Sequence, residues 1–84
     1  MPYDVQISRS AERELKALSP EAATRIRARL IALADQPRPS QAKRLSGSAN
    51  YRIRVGDYRV LYEIADAIRI VRVHRVRHGR EAYR

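Results

Sequence analysis

No cysteine, phenylalanine or tryptophan occurs in the sequence, and there are only three glycines and one methionine. Without cysteine there is no disulfide framework, no thiolate metal site and no cysteine nucleophile, a composition that fits a reducing compartment. Two histidines, His74 and His78, are too few to build a zinc site. No stretch approaches the roughly 20 apolar residues needed to cross a bilayer, and MPYDVQISRS lacks the apolar core of a signal peptide. The expectation is a cytoplasmic protein without membrane association. Acidic residues are also scarce, nine against 18 Lys plus Arg, for a net charge of +9. Such a surface attracts polyanions. Lysine itself is rare: all the basic side chains except Lys16 and Lys43 are arginines, whose planar fork suits phosphate. Codon bias in a GC-rich genome accounts for arginine over lysine equally well, but not for the excess of bases over acids.

What is present suits a folded chain: 44% hydrophobic and 32% charged residues. Its 84 residues predict one domain, 1–84, with a modest core, no cofactor buried between lobes, and a site near the surface. Tyr3, Val5 and Ile7 alternate with Asp4, Gln6 and Ser8, the pattern of a half-buried strand. Ser10 is placed to cap a short helix in which Ala11, Leu15 and Leu18 share a face. Ser19-Pro20-Glu21 starts a second helix with the stripe Ala22, Ala23, Ile26, Leu30, Leu33 and Ala34, closed by Pro37. Joined so tightly, the two form a helical hairpin, with Arg25 and Arg29 off the stripe. The segment QPRPSQAKRLSGSAN, Gln36 to Asn50, reads as a long loop in which Leu45 anchors Lys43 and Arg44 near the sheet.

YRIRVGDYRVLY carries the clearest signal. Gly56-Asp57 fits a two-residue type II′ turn. It sets Val55 opposite Tyr58, Arg54 opposite Arg59, Ile53 opposite Val60, Arg52 opposite Leu61 and Tyr51 opposite Tyr62. One face is then apolar and belongs against the helices. The other carries Arg52, Arg54 and Arg59 with Leu61 and Glu63. Arg54 facing Arg59 is a like-charge pair costing up to about 1 kcal/mol, which a purely structural role does not require. Single surface arginines often cover apolar neighbours with their stems; three together suit one bound phosphate. A three-residue turn, Ala65-Asp66-Ala67, would set Ile64 opposite Ile68, Glu63 opposite Arg69 and Leu61 opposite Val71. Arg69, Val71, Val73, Arg75 and Arg77 would then share the side of Arg59, and a two-residue turn would invert this. His74 reads as structural.

Lys43-Arg44-Leu45-Ser46-Gly47, YRIRVGDYRVLYEI from Tyr51 to Ile64, and His78 and Tyr83 in the tail VRHGREAYR together resemble the RelE/ParE superfamily of bacterial and archaeal toxins, on the RelE side. The likeness runs along essentially the whole chain. It implies an α+β fold of order β-α-α-β-β-β, an antiparallel sheet packed on a helical hairpin. It also implies a toxin of a type II toxin-antitoxin system: a metal-independent, ribosome-dependent endoribonuclease acting on mRNA, needing no cofactor and held by an acidic antitoxin. In such chemistry a ribose 2′-OH attacks the adjacent phosphate through a phosphorane that fixed cations stabilise.

Residue by residue, the resemblance implies that Arg59 contacts the scissile phosphate and that Lys43, Arg44, Arg52 and Arg54 bind the RNA backbone. Arg52 and Arg54 stand where RelE toxins often have lysine, so they hold phosphate rather than abstract protons. The C-terminal cation is Arg77 or Arg80, since the residue after the histidine, often arginine in relatives, is Gly79. Tyr83 stacks on a base or takes the 2′-OH proton. His78 is the better intrinsic proton-transfer group, or a packing histidine. The alternative within the superfamily is a ParE-like, non-catalytic toxin that inhibits DNA gyrase. A plain nucleic-acid-binding module fits less well, because the helices lack recognition-helix character.

Overall fold

The computed structural model describes residues 2–45 and 49–79. In chain order these form β1 (Asp4–Ile7), α1 (Arg9–Lys16), α2 (Pro20–Ala32), β2 (Lys43–Arg44), β3 (Asn50–Val55), β4 (Tyr58–Ala65) and β5 (Ile70–His78). The strands make one sheet ordered β1-β5-β4-β3-β2. The α+β architecture is the one the sequence implies, with two differences. β1 runs parallel to β5, because the helical hairpin carries the chain back before the β3-β4-β5 meander begins. The long loop also contributes β2, whose Lys43 and Arg44 pair with Arg52 and Tyr51. Among the described residues no helix is long and apolar enough to cross a membrane.

The helices cover one face of the sheet. Ala11 and Leu15 of α1, Ile26 and Leu30 of α2, and Leu33 are buried against Ile53, Val55, Val60, Tyr62, Ile64, Val71, Val73 and Val76. Each fully buried aliphatic side chain stabilises by about 1.5–3 kcal/mol. α2 begins as its sequence dictates: the Ser19 hydroxyl accepts the Ala22 N–H, and Pro20 occupies the first turn. α1 is capped by Ser8 rather than Ser10. β1 ends at Ile7, so Ser8 is the first residue able to leave the ladder. Its Oγ accepts the Ala11 N–H at 3.0 Å and donates to the His74 carbonyl at 3.1 Å. α2 stops at Ala32, well before Pro37, and the Ala34 carbonyl accepts the Tyr3 N–H at 2.7 Å. Glu12 and Arg27 join the helices by a two-pronged ion pair.

The β3-β4 hairpin has the expected register, from Tyr51–Tyr62 to Val55–Tyr58. Gly56 sits at φ 60° while Asp57 keeps a negative φ, the signature of a type II′ turn. The β4-β5 connection departs from expectation. A 3₁₀ turn over Asp66–Ile68, followed by Arg69 in the left-handed region, makes it four residues long, so Ala65 pairs with Ile70. Glu63 therefore faces Arg72, not Arg69, and Leu61 faces Arg75, not Val71. Val71 and Val73 lie in the core with Ile64 and Tyr62. Arg75 and Arg77 do share the side of Arg59, because the register shifts by one residue between Leu61 and Tyr62. His74 is the extra residue on β5.

Candidate functional site

The face of the sheet away from the helices is built from the pairs that the turns fix. Lys43 pairs with Arg52, Arg54 with Arg59, and Arg59 in turn with Arg77. Gln41, Lys43, Arg52, Arg54 and Arg59 line a basin of about 310 Å3. Four of its five lining residues are cations on three adjacent strands, an arrangement that can hold an anion by several charge-assisted contacts. Arg54 bends toward the turn, its Nε donating to the Gly56 carbonyl at 3.0 Å. The Nε of Arg59 is shielded from solvent. Position 79 lies alongside: a Cβ added to Gly79 would come 3.2 Å from the Asp57 carbonyl oxygen and 3.8 Å from Arg59 Nε. The backbone there approaches closely enough to explain a glycine.

Arg77 enters the same face and meets an acid from the helical layer. β1 pairs with β5 only as far as Val73, so among the described residues the outer edge of β5 beyond it has no strand neighbour. Glu14 of α1 fills that gap. Its Oε1 accepts the Val76 N–H at 2.8 Å, and its Oε2 lies 3.2 Å from Arg77 Nε and 3.6 Å from an Arg75 guanidinium nitrogen.

The remaining sequence candidates are placed differently. Arg44 pairs with Tyr51 and so alternates to the other side from Lys43. His78 pairs with Tyr58, and their rings meet edge to face with centroids 5.5 Å apart. Tyr58 packs against the core, so His78 lies toward the helical side of the sheet, opposite to Arg59 and Arg77. Arg80 and Tyr83, with Ser46 and Gly47 of the KRLSG stretch, lie outside the described residues. Glu63 pairs with Arg72 at 3.8 Å and with His74 Nε2 at 3.3 Å.

Three contributors escaped the sequence reading: Glu14, Gln41, and a brace at the far end of the sheet. In the brace, Arg38 donates to both oxygens of Asp66 at 3.2 and 2.7 Å and to Tyr51 Oη at 2.9 Å, while Tyr3 donates to Asp66 at 2.6 Å. Hydrogen bonds from Arg38 and Tyr3 bring the Asp66 carboxyl down to about 2. Tyr62, stacked on Tyr51 at 5.8 Å, donates to the Pro37 carbonyl at 2.8 Å, and burial pushes its phenol up to about 12. The brace ties the loop before β2 to the β4-β5 connection. A signal for Glu14 existed: an acid three residues after Ala11 and four before Leu18 sits on the edge of an apolar stripe and needs a partner there.

A sheet sealed on one side by two helices, with a cationic basin on the other, defines a small α+β domain that presents fixed positive charge on an open face. A family model for the ParE toxin of type II toxin-antitoxin systems, parDE, matches residues 5–83. The chain thus belongs to the RelE/ParE family of type II toxins. It is similar to a chain of the RelBE2 toxin-antitoxin complex of Mycobacterium tuberculosis, at 30% identity and a TM-score of 0.80, over 93% of this chain and 99% of that one. A chain of the archaeal RelE-RelB complex of Pyrococcus horikoshii is 24% identical, with a TM-score of 0.82, over 94% and 97% of the two chains. In the intact RelBE complex of E. coli the corresponding values are 22% and 0.79, over 90% and 95%. No curated protein sequence matches.

Proposed function

We propose that this toxin is a metal-independent endoribonuclease that cuts mRNA on the ribosome, with the arginine face as the phosphate-binding surface. The observation that carries the reading is the basin: Lys43, Arg52, Arg54 and Arg59 converge around one cavity on the face that the helices leave open. Cleavage by 2′-OH attack passes through a phosphorane bearing extra negative charge, and preorganised cations stabilise that state more than the ground state. Arg59, flanked on both sides by cationic strand partners, holds the scissile phosphate. Lys43, Arg52 and Arg54 take the flanking backbone, and Arg77, oriented by Glu14, adds charge from β5. Arg80 and Tyr83 of the tail complete the set, Tyr83 by stacking on a neighbouring base.

An acidic antitoxin is the expected partner, as the three similar chains named above come from RelBE or RelE-RelB complexes and a chain of net charge +9 favours an acidic, partly disordered peptide. The decisive experiment incubates the purified toxin with mRNA, with and without programmed ribosomes, and maps new 5′ ends. Ribosome-dependent cleavage that is lost in Arg59→Ala supports the reading. A second reading, gyrase inhibition, is favoured by the ParE description of the matching family model. Gyrase-dependent DNA breaks without RNA cleavage would replace the first reading by the second.

A further inference from the structure

Of the two histidines, both on β5, His74 is the one that reaches the arginine face. His74 is the residue by which β5 exceeds β4: Tyr62 pairs with Val73, Leu61 with Arg75, and nothing on β4 opposes position 74. Alternation from Arg72 puts His74 on the open side, and pairing with Leu61 puts Arg75 there as well, so both residues of the bulge point the same way. Removing position 74 would leave a regular ladder with Arg75, Val76 and Arg77 facing as they do now. The bulge therefore adds an imidazole to the cationic face without disturbing the arginines around it, and bulges recur beside active sites because they re-aim side chains.

The surroundings suit proton transfer. His74 is 45% exposed, and its Nε2 lies 3.3 Å from Glu63 Oε1. An ionised carboxylate only accepts hydrogen bonds, so Nε2 is the donor to Glu63, and in the neutral imidazole Nδ1 keeps the lone pair. Glu63 is the only acid on β3, β4 or β5, and it faces His74 from β4. Arg72 and Arg75 are the charged neighbours on β5. Toward β1, Gln6 and Ser8 line a cavity of about 170 Å3 with Arg72 and His74. From the Arg59–Arg77 row, His74 is about 7–10 Å along β5, a distance that the reach of an arginine and a histidine side chain closes.

We propose that His74, oriented by Glu63, is the base that takes the 2′-hydroxyl proton during RNA cleavage; this rests on the endoribonuclease reading above. Nδ1 accepts the proton, the freed 2′-oxygen bonds to the adjacent phosphorus, and the bond from phosphorus to the 5′-oxygen breaks. The products are a 2′,3′-cyclic phosphate and a 5′-oxygen that takes a proton from water. Arg59 holds the phosphate throughout, and Glu63 is a positioning residue.

The test compares wild type, His74→Gln, Glu63→Gln and Arg59→Ala for cleavage of ribosome-bound mRNA across about pH 5 to 8, with folding checked by circular dichroism. His74→Gln is expected to lower kcat by about 10²–10⁴ with little change in KM and to flatten the acid limb of the profile. Glu63→Gln is expected to lower kcat roughly tenfold without raising KM. A second readout needs no turnover: an RNA oligonucleotide with a 2′-deoxy nucleotide at the cleavage point should shift the His74 imidazole resonances in the NMR spectrum, but not those of His78. Cleavage by His74→Gln within twofold of wild type, while Arg59→Ala is inactive, would overturn the assignment and leave the nuclease reading standing. Absence of cleavage by wild type on ribosomes overturns both.

Discussion

Replacing Glu14 tests how the helical layer supports the cationic face. The carboxylate accepts a backbone N–H, that of Val76 at 2.8 Å, and lies within 3.6 Å of Arg75 and 3.2 Å of Arg77. Glu14→Ala leaves the Val76 N–H without its partner at a strand edge covered by α1, which costs about 1.5–3 kcal/mol for a bond to a charged group. The two ion pairs are partly solvated and contribute about 0.2–1 kcal/mol each. The expected loss is about 2–5 kcal/mol, read as a lower urea midpoint with unchanged slope, or as roughly 4–8 °C of Tm per kcal/mol. Glu14→Gln separates the contributions, because the amide oxygen still accepts the Val76 N–H while the charge is gone; its loss should be about 1 kcal/mol. The reasoning fails if Glu14→Ala stays within about 0.5 kcal/mol of wild type, or if the glutamine variant is as unstable as the alanine one.

Three further outcomes follow from the same contacts. Gly56 holds φ 60°, and among the described residues an added Cβ would meet only an Arg25 guanidinium nitrogen at 3.2 Å; Gly56→Ala should therefore cost about 1–3 kcal/mol through backbone strain, measured by urea unfolding, and parity with wild type would contradict the turn assignment. Asp66 is brought from 3.8 down to about 2 by Arg38 and Tyr3, so its folded form binds protons less readily than its unfolded form. Its contribution is present above about pH 4 and is lost as pH falls through about 2; acid titrations should show Arg38→Ala flatter than wild type over that window, and parallel curves would contradict the brace. Arg54→Thr removes one member of a like-charge pair and should raise stability by a few tenths to about 1 kcal/mol at low salt, with the gain shrinking in 1 M salt. A loss of stability at both salt concentrations would refute the repulsion argument.

The hairpin was legible because a two-residue turn with glycine first admits one register, and Arg52, Arg54 and Arg59 follow from it without tertiary information. The second connection was not. Ala65, Asp66 and Ala67 carry no turn signature, and the left-handed residue that closes it is Arg69, a type that seldom marks such a position. Parity was lost there and recovered for Arg75 and Arg77 only through the bulge, which period-two reading cannot anticipate. The same error set His74 on the wrong side of the sheet, because its side depends on that parity and on the bulge. Ser10 was chosen over Ser8 as the cap for a related reason: local preference ranks them equally, and the end of the β1 ladder decides.

Arg54, Arg59 and Arg77 stand side by side across three strands, two directly opposed like-charge pairs that cost up to about 1 kcal/mol each. For a chain this small, whose total stability is about 4–13 kcal/mol at typical per-residue values, that is a substantial fraction. The outer members are drawn aside, Arg54 by the Gly56 carbonyl and Arg77 by Glu14, which eases the repulsion without removing any charge. Removing charge would have been simpler, since threonine or valine at any of these positions suits a strand better. A fold that keeps all three cations, and adds two tethers to hold the outer ones in place, fits the proposed phosphate-binding role, in which one anion would relieve them together.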